Sequence, residues 1–461
     1  MTLTTTLRRL LAPSPQPQRP SWPPGPPAWP GLYLGAGPNG PVCAGGERAA
    51  LVLGPPRSGK TSTIVIPTVL SAPGAVVATS TKTDVLAVTS PARSRRGRVW
   101  LFDPSGTLET PPGVVPLRFS PVPGCADWDV AVATAHALVR AARPGAGLEH
   151  TQHWTERAEA LLAPLLHAAD LIGVDISWPL RWVNRHDLTE PLNILAARGT
   201  ELAADTLCSV HNTEERERSA ICSTTSGVLA AYRSARALAA AAHPNFNPAA
   251  FVASADTVHI AAPAHAQEQT APLVVALLDR IRQATYTRPS GAPPVVWALD
   301  EAATIAPVPS LPTIAAEGGG QGLIALVCLQ DLSQARQRWG AAADGFFSLF
   351  AAKLILPGIG DTRTLQAISA IAGDHDVSVT SHSRPNGPAL LWPRGSRAQT
   401  TTSLRRQPRL PVDQIHRGYP GMALLLTANY PPSWVQLTPW WTPPWSTLTQ
   451  PAPTQQGGPR P

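Results

Sequence analysis

The chain has few lysines, no closely spaced cysteines and no long apolar run. Only Lys60, Lys82 and Lys353 are lysines among 37 basic residues. The five cysteines lie far apart and form no CxxC pair, so neither a zinc site nor a disulfide framework is indicated and a reducing compartment is favoured. No stretch approaches the roughly 18 to 20 apolar residues of a membrane-spanning helix, and the N-terminus does not fit a signal peptide. We therefore expect a cytoplasmic protein.

Proline and positive charge are the features in excess. The 52 prolines among 461 residues are crowded near both ends, so we expect a disordered leader over 1–30 and a disordered tail over 439–461. The formal net charge of +7 favours an anionic partner such as nucleic acid or an acidic membrane surface, although it is a mild excess for this length.

Short Val/Ile/Leu runs between helical patterns predict an α/β fold with a mostly parallel central sheet. The predicted strands lie at 50–54, 74–79, 98–104, 256–263, 294–301, 322–330, 352–358 and 422–428. Residues 127–245 break this rhythm with Ala-, Leu- and Arg-rich helical spacing, which predicts an inserted all-α domain. The remaining segments, 31–126 and 246–438, then form the domain that contains the sheet.

The stretch GPPRSGKT at 54–61 matches the phosphate-binding pattern GxxxxGK[ST]. It follows the predicted strand ALVL and precedes a predicted helix, which is the required context and disfavours a chance glycine turn. We expect loop N–H groups to hold phosphates, Lys60 to reach the β- and γ-phosphates as a slim point charge, and the Thr61 hydroxyl to bind Mg²⁺. The predicted ATP-binding residues are Gly54, Pro55, Pro56, Arg57, Ser58, Gly59, Lys60, Thr61 and Ser62.

A predicted buried strand, VVWAL, ends in the acidic pair Asp300 and Glu301. A Mg²⁺-nucleotide site needs a carboxylate at a neighbouring strand tip, and hydrolysis needs a base beside it. Asp300 is the predicted metal ligand and Glu301 the predicted base, whereas the alternative is a pair that caps a helix. Gln330 ends another strand, where its amide would sense the γ-phosphate or orient water, or simply face solvent.

Several further charged residues have two readings. Arg336, Arg338 and Arg363 follow the next strands and are candidates to complete a neighbouring subunit's site. For Lys82, beside Asp84, a loop salt bridge is favoured over a phosphate or DNA contact, and Asp103 is read as a turn residue before Pro104.

A basic stretch lies towards the C-terminus. Residues 377–412 contain six arginines and no acid, a pattern that fits either a nucleic-acid contact or a solvated hairpin. The six arginines are Arg384, Arg394, Arg397, Arg405, Arg406 and Arg409, and Trp392 lies among them. The tryptophans after residue 433 are expected to pack against the domain.

These residues resemble the type IV coupling proteins of conjugation and secretion, the TraG and TraD class of P-loop ATPases. The similarity covers roughly residues 31–441. GLYLG and ERAALVLGPPRSGKT resemble the family's entry strand and phosphate loop, and HWTERAEALLAPLLHA resembles the start of its all-α domain. The most specific part is VVWALDEAATIAPVPSLPTIAAEGGGQGLIALVCLQ, which is similar to the TraM recognition region of the family.

The resemblance implies a RecA-like ATPase that forms a hexameric ring at the inner face of the membrane. Such a ring would pass single-stranded DNA, with its relaxase and relaxosome proteins, to a type IV secretion channel. By motif match, Lys60 and Thr61 would take the phosphate and metal roles, Asp300 and Glu301 the metal and water roles, and Gln330 the sensing role. Family members usually carry N-terminal transmembrane helices, whereas a proline-rich leader stands here, so membrane attachment is expected through partners. A protein cargo and a non-hydrolysing adaptor are the alternatives.

Overall fold

The computed structural model describes residues 31–142, 149–383 and 399–449. Its central feature is a large sheet of twelve strands within these ranges, in the order β2-β1-β14-β13-β10-β3-β9-β8-β4-β7-β5-β6. The twelve strands are β1 Tyr33–Gly37, β2 Gly40–Cys43, β3 Ala50–Leu53, β4 Val76–Ser80, β5 Val99–Phe102, β6 Val115–Pro116, β7 Thr257–Ala261, β8 Val295–Leu299, β9 Leu323–Leu329, β10 Ala352–Ile355, β13 Met422–Thr427 and β14 Tyr430–Gln436.

The sheet is mostly parallel, as predicted. Every pair from β10 to β6 is parallel, whereas β10–β13, β13–β14, β14–β1 and β1–β2 are antiparallel. All eight predicted strands are confirmed as strands. The last of them, β13, runs antiparallel to its neighbour β10, and residues 356–421 connect the two strands.

Helices cover both faces of the sheet. They are α1 Ile66–Ser71, continuing a π turn over Thr61–Val65, then α2 Asp84–Arg93, α3 Trp128–Ala142, α4 Glu149–Leu171, α5 Ser177–Arg185, α6 Thr189–Arg198, α7 Glu201–His211, α8 Glu215–Val228, α9 Ala235–Ala241, α10 Pro248–Val252, α11 Gln267–Thr285, α12 Ala302–Ile305, α13 Leu311–Glu317, α14 Leu332–Trp339, α15 Phe346–Leu349, α16 Thr362–Ala372, α17 Val412–Arg417 and α18 Trp445–Thr449. No helix in the described ranges is long and apolar enough to cross a bilayer.

The inserted all-α region stands between β6 and β7. Helices α3 to α10 occupy this interval, and α3 packs against α11 beneath the sheet. The imidazole of His167 hydrogen-bonds the Cys125 carbonyl at 2.7 Å, and Asp170 Oδ2 accepts the N–H of Gly124 and Ala126. The insertion therefore shares a continuous core with one face of the sheet. The domain limits at 127 and 245 stay a prediction.

A buried arginine fixes the amino edge of the sheet. Arg93 is fully buried and donates to the carbonyls of Ala72, Gly74 and Ala255 and to the Thr257 hydroxyl, all at 2.7 to 2.9 Å. Burial lowers its pKa to about 10. A guanidinium presents five donors in a rigid fork, so one side chain can satisfy several loop carbonyls at once.

The predicted disordered tail is wrong for residues 439–449. These residues include α18, and the Trp445 indole is fully buried with its ring 4.8 Å from the Tyr33 ring, edge to face. Apolar burial of an indole outweighs the poor helix propensity of the prolines around it. The leader 1–30 and the rest of the tail, from residue 450, lie outside the described residues.

The basic stretch lies largely in a two-stranded hairpin. Strands β11 Asp374–Ser383 and β12 Gln399–Pro408 pair antiparallel, and Arg405 and Arg406 are exposed on β12. Arg406 forms an ion pair with Asp374 at 3.0 Å. Arg384, Trp392, Arg394 and Arg397 lie outside the described residues.

Candidate functional site

The loop 54–61 lies between β3 and the helix that starts at Thr61, as the sequence predicts. A Cβ atom at Gly54 would lie 2.8 Å from Ser58 Oγ and 2.9 Å from Leu356 Cβ, so a larger residue does not fit there. Gly59 has φ of 94°, a conformation that glycine adopts without strain. The backbone conformation of the loop therefore favours glycine at both motif positions.

Lys60 lies inside the loop that it belongs to. Its side chain is 4% exposed, and Nζ donates to the carbonyls of Gly54 at 2.5 Å and Pro55 at 3.1 Å. The Ser58 hydroxyl is buried and has no hydrogen-bond partner among the described residues. A buried polar atom without a partner is costly, so the loop offers an ammonium and an unsatisfied hydroxyl to an anionic ligand.

The loop meets the acidic pair directly. Thr61 Oγ1 donates to Asp300 Oδ2 at 2.5 Å, and Thr79 Oγ1 on β4 donates to the Asp300 carbonyl at 2.7 Å. Strand β9 separates β3 from β8, so the two motifs rise from strands that are next-but-one neighbours. A hydroxyl and a carboxylate oxygen at this distance are hard oxygen donors of the kind that Mg²⁺ prefers.

Burial dominates the electrostatics of Asp300. The side chain is 5% exposed, and desolvation raises its pKa to about 6. The Thr61 hydrogen bond and the charge of Lys60 oppose this rise, whereas the charge of Glu301 adds to it. Because desolvation disfavours the charged form of a buried carboxylate, a nearby cation stabilises that form more than it would at an exposed site.

Glu301 has an unusual backbone. Its φ of 50° and ψ of 47° are left-handed, and its N–H donates to Asp300 Oδ1 at 3.2 Å. This conformation costs free energy in a residue with a Cβ and clusters at functional sites. The carbonyl of Glu301 accepts the N–H groups of Thr304 and Ile305, which hold the turn into α12.

Gln330 follows β9, between the two motif strands. Its N–H donates to Gln334 Oε1 at 2.9 Å, and its own side chain is partly exposed. No hydrogen bond is recorded for its side-chain amide within the described residues. The structure thus brings Lys60, Thr61, Asp300 and Glu301 together and places Gln330 on the strand between them.

The three candidate arginines differ in their partners. Arg336 pairs with Asp344 at 3.4 Å and Asp361 at 3.6 Å. Arg338 Nε donates to the Ala303 carbonyl at 2.9 Å. Arg363 is exposed, and no ion pair is recorded for it in the described part of the chain.

The loop residues after β4 and β5 take structural roles. The salt bridge favoured for Lys82 is not formed among the described residues, because the Asp84 carboxylate instead accepts the Ser80 hydroxyl and the Val85 N–H. Asp103 accepts the N–H groups of Ser105, Thr107 and Leu108, which confirms its turn role.

Sequence reasoning missed Thr79 and Gln334. Thr79 ends β4 beside β8 and supports the Asp300 peptide, and Gln334 supports the Gln330 peptide. Thr79 could have been found as a hydroxyl at the carboxyl end of a predicted strand. Gln334 carried no comparable signal, since it is one polar residue among several on α14.

Comparisons with known proteins found two family models that match parts of the chain. The family described as "TraM recognition site of TraD and TraG" matches residues 294–418, and "Type IV secretory system Conjugative DNA transfer" matches residues 24–177. No curated protein matched in a sequence search.

Solved structures of the bacterial conjugative coupling protein TrwB share the fold. An unbound form is 16% identical, covers 90% of each chain and has a TM-score of 0.68. A complex with the ATP analogue ADPNP is 17% identical over 85% of each chain with a TM-score of 0.64. A complex with ADP and Mg²⁺ is 16% identical over 85% of each chain with a TM-score of 0.63. The fold is therefore the RecA-like P-loop fold with a mostly parallel sheet and an inserted all-α region, as predicted.

The two matched ranges together exceed half of the chain, and they contain both the loop 54–61 and the acidic pair. The chain belongs to the type IV coupling protein family of conjugative DNA transfer.

Proposed function

We propose that the chain is an ATPase that uses ATP hydrolysis to pass single-stranded DNA, with its relaxase, to a type IV secretion channel. The observation that carries this proposal is the contact between Thr61 Oγ1 and Asp300 Oδ2 at 2.5 Å. It joins a phosphate-binding loop to an acidic strand tip, which is the arrangement that nucleotide hydrolysis requires.

The residues present fit a nucleotide with its metal. Residues 54–62 would hold the phosphates, with Lys60 leaving its two loop carbonyls for phosphate oxygens. Thr61 and Asp300 would hold Mg²⁺, which when bound supplies positive charge against the phosphate oxygens. The TrwB complexes with ADP and Mg²⁺ and with ADPNP support the same choice of ligands.

Glu301 and Gln330 are assigned to the chemical step. Glu301 accepts a proton from the water that attacks the γ-phosphorus, while the bond to the β–γ bridging oxygen breaks and ADP leaves. The left-handed backbone of Glu301 sets the direction in which its side chain leaves the main chain. Gln330, on the intervening strand, orients the water or contacts the γ-phosphate with its amide.

The assembly follows from the family. Conjugative DNA transfer requires contact with relaxosome proteins and with the secretion channel, and the matched TraM recognition region supports the former. We infer a homo-hexameric ring at the inner face of the cell membrane, attached through its partners. In such a ring an arginine of one subunit completes the site of the next, and Arg363 is the candidate whose side chain is exposed.

Turnover of ATP by the purified chain, with and without single-stranded DNA, tests this function. DNA should stimulate hydrolysis, and Glu301→Gln should lower it by about 10²- to 10⁴-fold. A rate of ATP hydrolysis that does not change with DNA but increases when a relaxase is added would favour the protein-cargo alternative. No hydrolysis by the wild-type chain, with transport retained by Glu301→Gln, would favour the adaptor alternative.

A further inference from the structure

The segment 437–449 lies beside the phosphate loop. Strand β14 runs antiparallel to β13, which runs antiparallel to β10, so β14 ends at the same edge of the sheet as β3. Strands β13 and β10 separate it from β3 on the side opposite to β8 and the acidic pair. The chain therefore leaves β14 at the edge where the loop 54–61 stands.

A backbone hydrogen bond ties this segment to the loop. The N–H of Trp440 donates to the Ser62 carbonyl at 2.9 Å. In the π turn that starts at Thr61, the N–H of Ile66 goes to the Thr61 carbonyl, and the next residue, Pro67, has no N–H for Ser62. Because Pro67 has no N–H, the Ser62 carbonyl lacks this partner within the helix, and the Trp440 N–H satisfies it.

With Trp440 held by this hydrogen bond, the indole of the next residue, Trp441, is exposed at a fixed position. Trp441 is 58% exposed, and its ring meets the Trp440 ring edge to face, with centroids 5.7 Å apart. Trp440 is partly buried against the core on that face of the sheet, and Trp445 is fully buried four residues later. The anchored residues on both sides hold Trp441 in position.

The segment that carries Trp441 has no charged side chain of its own, and the Arg95 guanidinium donates to its Leu448 carbonyl at 2.8 Å. Residues 418–449 contain no Asp, Glu, Lys, Arg or His. A neutral aromatic surface does not attract phosphate, but it suits a planar heterocycle, which stacks on an indole through its π face.

We propose that Trp441, supported by Trp440, is the surface on which the base of the bound nucleotide stacks. This inference rests on the proposed nucleotide site. With the γ-phosphate directed at Asp300 and Glu301, the opposite end of the nucleotide passes Ser62 towards β14, where Trp441 stands. Trp441 is then a specificity-determining residue that distinguishes a nucleotide from a bare triphosphate.

Equilibrium binding of two probes to the full chain tests the inference. The probes are ADPNP and inorganic tripolyphosphate, both with Mg²⁺, and the variants are Trp441→Ala and Trp441→Phe. Loss of base stacking by truncation to alanine corresponds to a weakening of about 5- to 150-fold. Trp441→Ala should weaken ADPNP by that factor and leave tripolyphosphate unchanged, while Trp441→Phe should retain most of the affinity.

Tyr430→Ala is the matched control. Tyr430 is 76% exposed at the other end of β14, so its loss should leave both affinities unchanged. Unchanged ADPNP affinity in Trp441→Ala overturns the inference, and so does an equal loss for both probes. Loss of single-stranded DNA binding alone would assign Trp441 to DNA and also overturn it. If wild-type protein bound neither probe, the proposed function would fail with it; if wild-type bound both probes equally, only the stacking role would fail.

Discussion

Thr61 and Asp300 are joined by a hydrogen bond of 2.5 Å although 239 positions separate them in sequence. The bond links the first residue of the helix after the phosphate loop to the tip of β8. In the proposed function these two oxygens are the protein ligands of Mg²⁺, so the pair determines how the chain would bind the metal.

Removal of the Thr61 hydroxyl should weaken nucleotide binding only when Mg²⁺ is present. A hydrogen bond or ligand contact to a charged group contributes about 1.5 to 3 kcal/mol, so Thr61→Ala should cost roughly 10- to 150-fold in affinity for Mg²⁺-ADPNP. Titration calorimetry with Mg²⁺ and with EDTA measures the difference. Ser71→Ala is the control, since that hydroxyl bonds only Pro67 and Thr68 carbonyls within its own helix. An equal loss in EDTA would contradict a metal role for Thr61.

Glu301→Gln should separate hydrolysis from binding. A positioned general base contributes about 10²- to 10⁴-fold, so kcat should fall by that factor while ADPNP affinity stays near that of wild type. Steady-state phosphate release and equilibrium binding give the two values. Glu317→Gln, an exposed glutamate at the end of α13, should match wild type in both. Full hydrolysis by Glu301→Gln would remove Glu301 from the chemical step.

Gln330→Ala should lower kcat by about 10²-fold with little change in KM, because the amide acts on the transition state more than on the bound nucleotide. Gln334→Ala should give a smaller decrease of the same kind, since Gln334 holds the Gln330 peptide by a 2.9 Å hydrogen bond. A change in KM alone for Gln330→Ala would show a binding role instead.

Arg363→Ala should be inactive in a homogeneous ring, with a loss of about 10³-fold or more in kcat. Mixing it with Glu301→Gln subunits should restore part of the activity, because an intact site then meets an intact arginine across the interface. Arg336→Ala is the contrast, since Arg336 pairs with Asp344 and Asp361 in its own chain. No recovery in the mixed rings would assign the arginine elsewhere.

His259 should make the fold sensitive to acid. It is buried on β7, and burial, helped by the charge of Arg93, lowers its pKa from 6.5 to about 3. The folded protein therefore binds fewer protons than the unfolded chain below pH 6.5, so stability is complete above that pH and falls as pH drops towards 3. Between pH 7 and pH 5 this group alone should remove about 2 kcal/mol from the free energy of unfolding.

Denaturant unfolding of wild type and His259→Gln at pH 7 and pH 5 measures this contribution. The variant should lose less stability between the two pH values than wild type does. An identical pH dependence in both proteins would show that His259 does not titrate as its burial requires.

The parallel strands and the site motifs were predictable because their signals are local. GPPRSGKT and ALDE are short patterns with fixed spacing, and fully buried strands such as β9 are continuous apolar runs. Strands β1 and β14, which are paired on both sides, were not among the strands predicted from apolar runs. YLGAG in β1 contains two glycines and YPPSWVQ in β14 contains two prolines, so neither has a strand-like pattern.

Contacts between distant segments were not predictable in the same way. Arg93 stands in the run PARSRRGR, which has the composition of an exposed loop, yet it is fully buried, with acceptors from the two segments 72–74 and 255–257 around its guanidinium. The packing of Trp445 on Tyr33 depends on β14 ending beside β1, which no pattern within 439–449 records. The Thr79 contact to Asp300 likewise depends on strand order.

A structure of the chain with Mg²⁺ and ADPNP tests the central claim most directly. We expect Lys60 Nζ to leave the carbonyls of Gly54 and Pro55 for phosphate oxygens, with the metal held between Thr61 and Asp300. A nucleotide bound elsewhere, with Lys60 still on those two carbonyls, would contradict the account.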